Sequence, residues 1–422
     1  MAGGAQNVCF ICFEASPPPI HSGCACRGDA ALAHPGCRAE DARHRAARKG
    51  WMWRYTCATC KQPFTGSMDM ALANAWWSEM CYRAEEDPER IEAASNLAIC
   101  LSNEGKHAKA EEMQRELLAT CKRLKGAEHV DTLTSAHNLA SSLSGQRKYA
   151  DAEEILTEVL AVRKRVSGVE HSETVAAAQN LGFYLDMQDK HKEAEQLLRE
   201  VLDVWERKLG ATHADTLITK HNLASCLCKQ GRYGKAEKMH YEVLAIRKQV
   251  LGALHRRTLD SLSDLAWILS CRTKYAQAEH MHRELLLSRT QLLGAEHPQT
   301  LQSVRYVAKS LFRQAKYVEA EEMQRGVLPV LKRVLGVEHA TTLKTSEDLF
   351  DSYDQQGKHT QAQLQLCDML TVCTSLFGAD DARTADASRK MLDYLTKRQG
   401  AVRCGRKRAQ EHAHASCKKS KP

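Results

Sequence analysis

The sequence predicts a mostly α-helical protein in two parts, a small cross-braced two-metal module followed by an all-α repeat solenoid. Three observations carry that prediction. Eight Cys and His residues stand in ordered pairs within the first 60 positions. A 42-residue pattern then recurs seven times, and the last stretch of chain is strongly basic and poor in core formers.

The ordered residues are Cys9, Cys12, Cys24, Cys26, His34, Cys37, Cys57 and Cys60. Their gaps read C-x2-C, eleven residues, C-x-C, seven residues, H-x2-C, nineteen residues, C-x2-C. Thiolate and imidazole are the ligands that tetrahedral Zn²⁺ prefers, and four protein ligands per ion leave no open position for water. Two Zn²⁺ ions in structural, non-hydrolytic sites are therefore expected. A domain of about 60 residues buries too little apolar surface to fold securely alone, so the metal should supply folding free energy.

Residues 7–66 resemble the RING-CH (variant RING) family. The likeness rests on the C-x-C pair, the seven-residue gap to His34, the H-x2-C and the closing Cys57-Ala-Thr-Cys60-Lys-Gln-Pro-Phe. A plant homeodomain finger, which also uses seven Cys and one His, is the nearest rival. The RING-CH resemblance implies that Cys9, Cys12, His34 and Cys37 hold one ion and that Cys24, Cys26, Cys57 and Cys60 hold the other. It also implies a ubiquitin ligase, which makes no covalent bond of its own and works by positioning a charged ubiquitin-conjugating enzyme. The contact residues so implied are Ile11 within the first pair, Lys61 after the last Cys, and Pro63. One departure is plain. Family members carry Leu and Trp soon after the H-x2-C, whereas Arg38, Ala39, Glu40 and Asp41 follow Cys37 here, and Trp51 and Trp53 come later. The alternative is a non-catalytic scaffold, in which zinc merely folds the module and the repeats bind peptides. A histone-tail-reading finger ranks third.

The zinc module is assigned to residues 1–66 and a connecting helix to 67–87. Met68, Met70, Ala71, Leu72, Ala75, Trp76 and Trp77 form an apolar stripe at helical spacing, suited to capping the first repeat. The competing reading is an exposed aromatic partner site.

The repeats fill 88–395. Glycines recur at Gly126, Gly168, Gly210, Gly252, Gly294, Gly336 and Gly378, in steps of 42 residues without slippage. Three residues on stands His129, His171, His213, His255, His297 or His339, with Asp381 in the last copy. Six residues on stands Thr in every copy, and a second beat is Ala-Glu, as in Ala110-Glu111 and Ala152-Glu153. Fixed-period self-similarity means a solenoid. In the second copy Leu133, Leu139, Ala140 and Leu143 give one helix over 130–143, and Tyr149, Ala152, Leu156, Val159 and Leu160 give another over 148–165. One helical pair cannot bury both faces, so stacking completes the core. With Asn-Leu-Ala at 96–98, 138–140 and 222–224, followed by Gly-Lys/Arg-Tyr/His, Ala-Glu and Leu-Gly-x-x-His, the block resembles tetratricopeptide repeats of the kinesin-light-chain type. The fold class is thus a RING-like zinc module followed by an all-α tetratricopeptide-repeat solenoid.

Such arrays line a concave face with their first helices. Asn96, Asn138, Asn180 and Asn222 recur there before giving way to Asp264, Tyr306 and Asp348. An amide ladder can bind both N–H and C=O of an extended peptide, so these four are the candidate peptide-binding groove. Equally, the amides could satisfy hydrogen bonds within the stack. Lys220, Arg305 and Lys344 lie near this face and favour an acidic peptide. The turn histidines fall one per repeat, too far apart to share an ion, and read as cap residues. Basic pairs such as Lys122-Arg123, Lys164-Arg165 and Lys332-Arg333 close second helices, where the helix dipole favours them.

No phosphate-binding Gly-Lys-Ser/Thr loop, Gly-x-Ser-x-Gly elbow or His-Glu-x-x-His appears. The net charge of +8 is carried by residues 396–422, with nine Lys/Arg against the single acid Glu411. The rest of the chain is balanced, so no nucleic-acid partner is expected. The tail resembles a nuclear-localisation signal, or is a solvated disordered terminus. Its Cys404, His412, His414 and Cys417 sit in too polar a setting to favour a metal site. The ten cysteines outside the zinc pattern show no paired framework, which places the chain in a reducing, cytoplasmic setting. No secretory signal or membrane span is expected.

Overall fold

The computed structural model describes residues 9, 11–12, 20–21, 32–41, 57 and 64–396. Cys24, Cys26, Cys60, Lys61, Pro63, Trp51, Trp53 and the basic tail lie outside the described residues. The chain divides into two units, 1–226 and 227–422.

At the start of the first unit, β1 (Ile20–His21) pairs antiparallel with β2 (Leu32–Ala33), Ile20 opposite Ala33. The chain is helical over 35–41. A small core follows from Cys9, Ala33, Ala39, Cys57, Phe64, Met68 and Leu72. The last two belong to α1 (Ser67–Met80), the expected connecting helix. Its other flank packs Met70 and Ala73 against Leu97, Cys100, Leu101 and Ala110 of the first repeat. Trp76 is buried with Met80 and Ala93, and the Arg90 guanidinium lies 6.0 Å from the Trp77 ring. Both tryptophans are thus engaged by the repeat they cap, which removes the reading of this stripe as an exposed aromatic site.

The first unit continues as α2 (Pro88–Asn103), α3 (His107–Lys125), α4 (Val130–Gly145), α5 (Tyr149–Val166), α6 (Ser172–Met187) and α7 (His191–Leu209). The helix α8 (Ala214–Lys229) contains the unit boundary. The second unit carries α9 (Tyr233–Leu251), α10 (Arg256–Cys271), α11 (Tyr275–Leu293), α12 (Pro298–Arg313), α13 (Tyr317–Val334), α14 (Ala340–Gln355) and α15 (His359–Phe377). A further helix, α16, spans 382–396. Its Tyr394 is buried with Leu366 and Met369 against Phe350 and Tyr353, so the seventh pair is closed by a lone first-type helix. Leu139, Leu143 and Leu156 pack with Leu181, Tyr184 and Leu185 of the next repeat, which shows how stacking supplies the missing core.

Each recurring residue has an identifiable task. Gly126 ends α3 at φ 88°, a left-handed conformation that a side chain resists. The turn histidines are N-caps. Nδ1 of each of the six accepts the backbone N–H two residues on, at 3.1–3.3 Å. Asp381 does the same for Arg383 at 2.9 Å, which explains why Asp can replace His in the last copy. The hydroxyls of Thr132, Thr216 and Thr342 donate back to the carbonyls of Gly126, Gly210 and Gly336 at 2.8 Å. We expect His171→Ala to lower stability by about 1 kcal/mol while His171→Asp retains it. Urea unfolding followed by circular dichroism checks both, and equal midpoints for wild type and His171→Ala would refute the capping role.

The Ala-Glu beat is a clasp between repeats. Glu111 accepts from Gln146 at 2.6 Å and Lys148 at 2.9 Å, and Glu153 accepts from Gln188 at 2.6 Å and Lys190 at 2.7 Å. In the second unit Glu279 is held by Gln314 and Lys316, Glu321 by Gln356 and Lys358, and Glu237 by Arg272 and Lys274. The bond from Lys148 leads the forces that pull the Glu111 carboxyl down to about 2. The basic residues closing the second helices have partners too. Arg123, Arg165, Arg207 and Arg333 bond Glu86, Glu128, Glu170 and Glu296 of the preceding turn. These pairs are exposed and add little each.

Candidate functional site

The N-terminal site is built around Cys9. This cysteine is fully buried, and its sulfur accepts the backbone N–H of His34 at 3.3 Å and of Ile11 at 3.5 Å. Cys12 Sγ lies 3.3 Å and Cys37 Sγ 3.7 Å from His34 Nδ1. The ligand atoms of Cys9, Cys12, His34 and Cys37 all fall within 4.8 Å of one another. This is the first of the two expected ligand sets. Of the second set only Cys57 is described, buried in the same small core, so no geometry is given for that ion's site.

As free thiols, two members of the cluster are pushed in opposite directions. Burial raises the Cys9 thiol, but N–H donation from the surrounding backbone outweighs it and brings the group down to about 6. Cys37 is pushed up to about 12, first by burial and then by its Cys12 and Cys9 neighbours. Three sulfurs and one imidazole nitrogen, with two N–H groups aimed at one sulfur, fit a divalent zinc ion.

Among the expected enzyme-contact residues, only Ile11 is described. It is half-buried against the module's own core. Arg38, the first of the four residues that follow Cys37 in place of the expected Leu and Trp, is buried with its guanidinium 5.5 Å from the Phe64 ring.

The asparagine ladder is half-buried throughout. Asn96 Nδ2 donates to the Glu92 carbonyl of its own helix at 3.1 Å. Asn180 Nδ2 meets His137 Nε2 of the preceding repeat at 2.9 Å. Two of the three cations expected to favour an acidic peptide are bound to the chain's own carboxylates. Lys220 pairs with Glu206 at 2.7 Å and Arg305 with Asp348 at 2.8 Å.

The second unit holds a pocket that the sequence did not reveal. It encloses about 560 Å³ between α10, α11 and α12. Trp267, Tyr275 and Tyr306 give it aromatic walls, Lys309 and Arg313 a cationic end, and Asp264 an acidic edge. Trp267 is 52% exposed despite its size. The Tyr306 ring stacks on His282 at 5.3 Å between centroids. Burial brings His282 down to about 4, so it is neutral at physiological pH, and burial together with Asp260 raises Asp264 to about 6. A second cavity of about 370 Å³ shares Lys309 and Arg313 and adds Arg305, Phe312 and Lys344. Asp264 and Tyr306 are two of the residues that interrupt the asparagine ladder. The interruption was the available signal.

Comparison with known proteins follows the same division. Residues 89–165, 137–207, 173–249 and 215–287 match a tetratricopeptide repeat family model, and 300–341 match a second model of the same description. Together they span more than half of the chain, which therefore belongs to the tetratricopeptide repeat family. The RING-CH resemblance of residues 7–66 has no family match. No curated protein is similar enough to count as a match. Among solved structures, the apo quorum sensor NprR from B. thuringiensis shares the fold at 16% identity, covering 77% of this chain and 92% of that one, with TM-score 0.50. The kinesin light chain repeats of Podosopora anserina align at 22% identity over 49% of this chain and 99% of that one, TM-score 0.46. BtubC from P. vanneervenii aligns at 22% identity over 55% and 92%, TM-score 0.45. Among the described residues, no helix is long and apolar enough to cross a membrane.

Proposed function

We propose that this protein is a peptide-binding scaffold whose repeats carry the recognition surface and whose N-terminal module is a structural zinc finger. The observation that carries it is the 560 Å³ pocket where Trp267, Tyr275 and Tyr306 meet Lys309 and Arg313. Aromatic walls with a cationic end suit an extended peptide that places a bulky apolar side chain between the rings and a carboxylate at the far end. The asparagine ladder lies in the first unit and has less to offer a peptide, since Asn96 and Asn180 already spend donors within the stack.

In the finger, Cys9, Cys12, His34 and Cys37 would hold one zinc ion, and Cys24, Cys26, Cys57 and Cys60 a second. The ligase reading, with a ubiquitin-conjugating enzyme on Ile11, Lys61 and Pro63, stands behind the scaffold reading. It has no family match, and Ile11 turns toward its own core.

A displayed random-peptide library selected on the full chain tests the pocket. Selected peptides should bind Trp267→Ala and Tyr306→Ala at least about tenfold more weakly by fluorescence anisotropy, a typical cost for an interface anchor. Undiminished binding to both variants, with helical content intact, would place recognition elsewhere. Ubiquitin chain formation by the wild-type chain with any of a panel of conjugating enzymes would restore the ligase reading.

A further inference from the structure

We propose that Asp186, His191 and Cys226 form a separate site for one transition-metal dication of the zinc type, joining the third repeat to the fourth. Asp186 lies in the last turn of α6, His191 opens α7, and Cys226 lies in α8. Asp186 is 4% exposed and Cys226 is fully buried, while His191 keeps partial access to solvent. Their ligand atoms all fall within 4.8 Å of one another. Asp186 Oδ1 is 2.8 Å from His191 Nδ1, and Cys226 Sγ is 3.1 Å from the His191 carbonyl.

The register of the array sharpens the inference. The same three positions recur every 42 residues, so each repeat shows what the fold itself requires there. In the first repeat they are Ser102, His107 and Ser142, joined by ordinary hydrogen bonds at 3.3 and 3.5 Å. In the last they are Asp354, His359 and Tyr394, whose hydroxyl lies 3.2 Å from the His359 ring, so an Asp–His pair stands there without a thiol. Serine, tyrosine and isoleucine therefore satisfy the packing. Only at 186, 191 and 226 do all three become metal-ligating types. Carboxylate, imidazole and thiolate together suit zinc more than magnesium or calcium, which take oxygen ligands.

An independent observation concerns the far side of the ring. Asp189 Oδ1 stands 3.5 Å from His191 Nε2. A carboxylate on the second nitrogen is the usual orienting partner of a metal-bound histidine. Asp189 occupies a left-handed turn position, φ 62°, that the other copies fill with Gly105, Arg147, Gly231, Thr273, Ala315 and Gly357, so the acid is particular to this copy. Water entering beside His191 would complete the tetrahedron, and the ion would tie two first-type helices across α7.

The array supplies its own controls. Cys226→Ser installs the residue found at Ser142, Ser310 and Ser352, and His191→Tyr the one found at Tyr149 and Tyr233. Neither touches the N-terminal cluster. Full-length wild type and variants are equilibrated with zinc, freed of unbound ion and assayed for metal per chain, with circular dichroism confirming equal helix content. Each variant should hold one ion fewer than wild type, and Asp189→Ala should bind that ion about tenfold more weakly. Exchange into cobalt should show reduced thiolate-to-cobalt absorbance in Cys226→Ser. Equal metal content and identical cobalt spectra for wild type and Cys226→Ser would overturn the site.

Discussion

Replacing Cys9 by Ser is expected to cost the N-terminal module at least one zinc ion and its folded state. Cys9 is the buried centre of the cluster, and its sulfur takes two backbone N–H groups that serine's shorter, harder oxygen cannot serve equally. Structural zinc sites contribute on the order of 10 kcal/mol of folding free energy, more than a core of this size supplies. The repeats should keep their helical signal, because they have their own cores. Metal analysis with limited proteolysis reads both halves at once. A Cys9→Ser chain that retains all its zinc and resists cleavage before residue 67 would remove the cross-braced assignment.

The second large effect lies at Leu198, fully buried in α7. Leu198→Ala should destabilise by about 2–5 kcal/mol through lost burial and the cavity left behind. Gly182 sits opposite, where other repeats carry Ala98, Ala140, Ala224, Ala266 and Ala308. A Cβ at 182 would stand 2.8 Å from the Leu198 Cγ and Cδ2, so Gly182→Ala alone overpacks the contact. With Leu198 shortened the clash disappears, and the same change gains helix propensity of about 1 kcal/mol. The double variant should therefore be more stable than Leu198→Ala, although Gly182→Ala on its own is harmful. Denaturant midpoints for all four chains decide it, and additive shifts would show that the two positions do not touch in solution.

The repeat architecture was legible because each recurring residue does one local job. Gly126 needs a left-handed backbone, His129 caps α4 and Thr132 bonds back to the glycine carbonyl. The period could be read from any of them. The asparagine ladder was legible as a pattern but not as a site. Spacing shows that Asn96 and Asn180 share a position, and only coordinates show that one amide bonds its own helix and the other a histidine. The aromatic pocket was harder still. Trp267 and Tyr306 meet across neighbouring repeats without sharing a repeat position, so periodicity gave no reason to pair them. The basic residues closing the second helices needed no partner to be explained, which hid the glutamates they bond.

The Glu–Gln–Lys clasp bears on how such a chain can change in length. Glu111 meets Gln146 and Lys148, and Glu153 meets Gln188 and Lys190, at identical offsets along the chain. Excising one whole 42-residue block from that stretch would bring Glu111 against Gln188 and Lys190 in the same geometry. A deletion of any other size would leave a carboxylate facing the wrong residue and a helix facing the wrong side. Units there are interchangeable parts with a common fitting, so gain or loss of whole repeats meets little structural resistance. The departure at Glu237, where Arg272 takes the glutamine's place, makes that joint less exchangeable than the others.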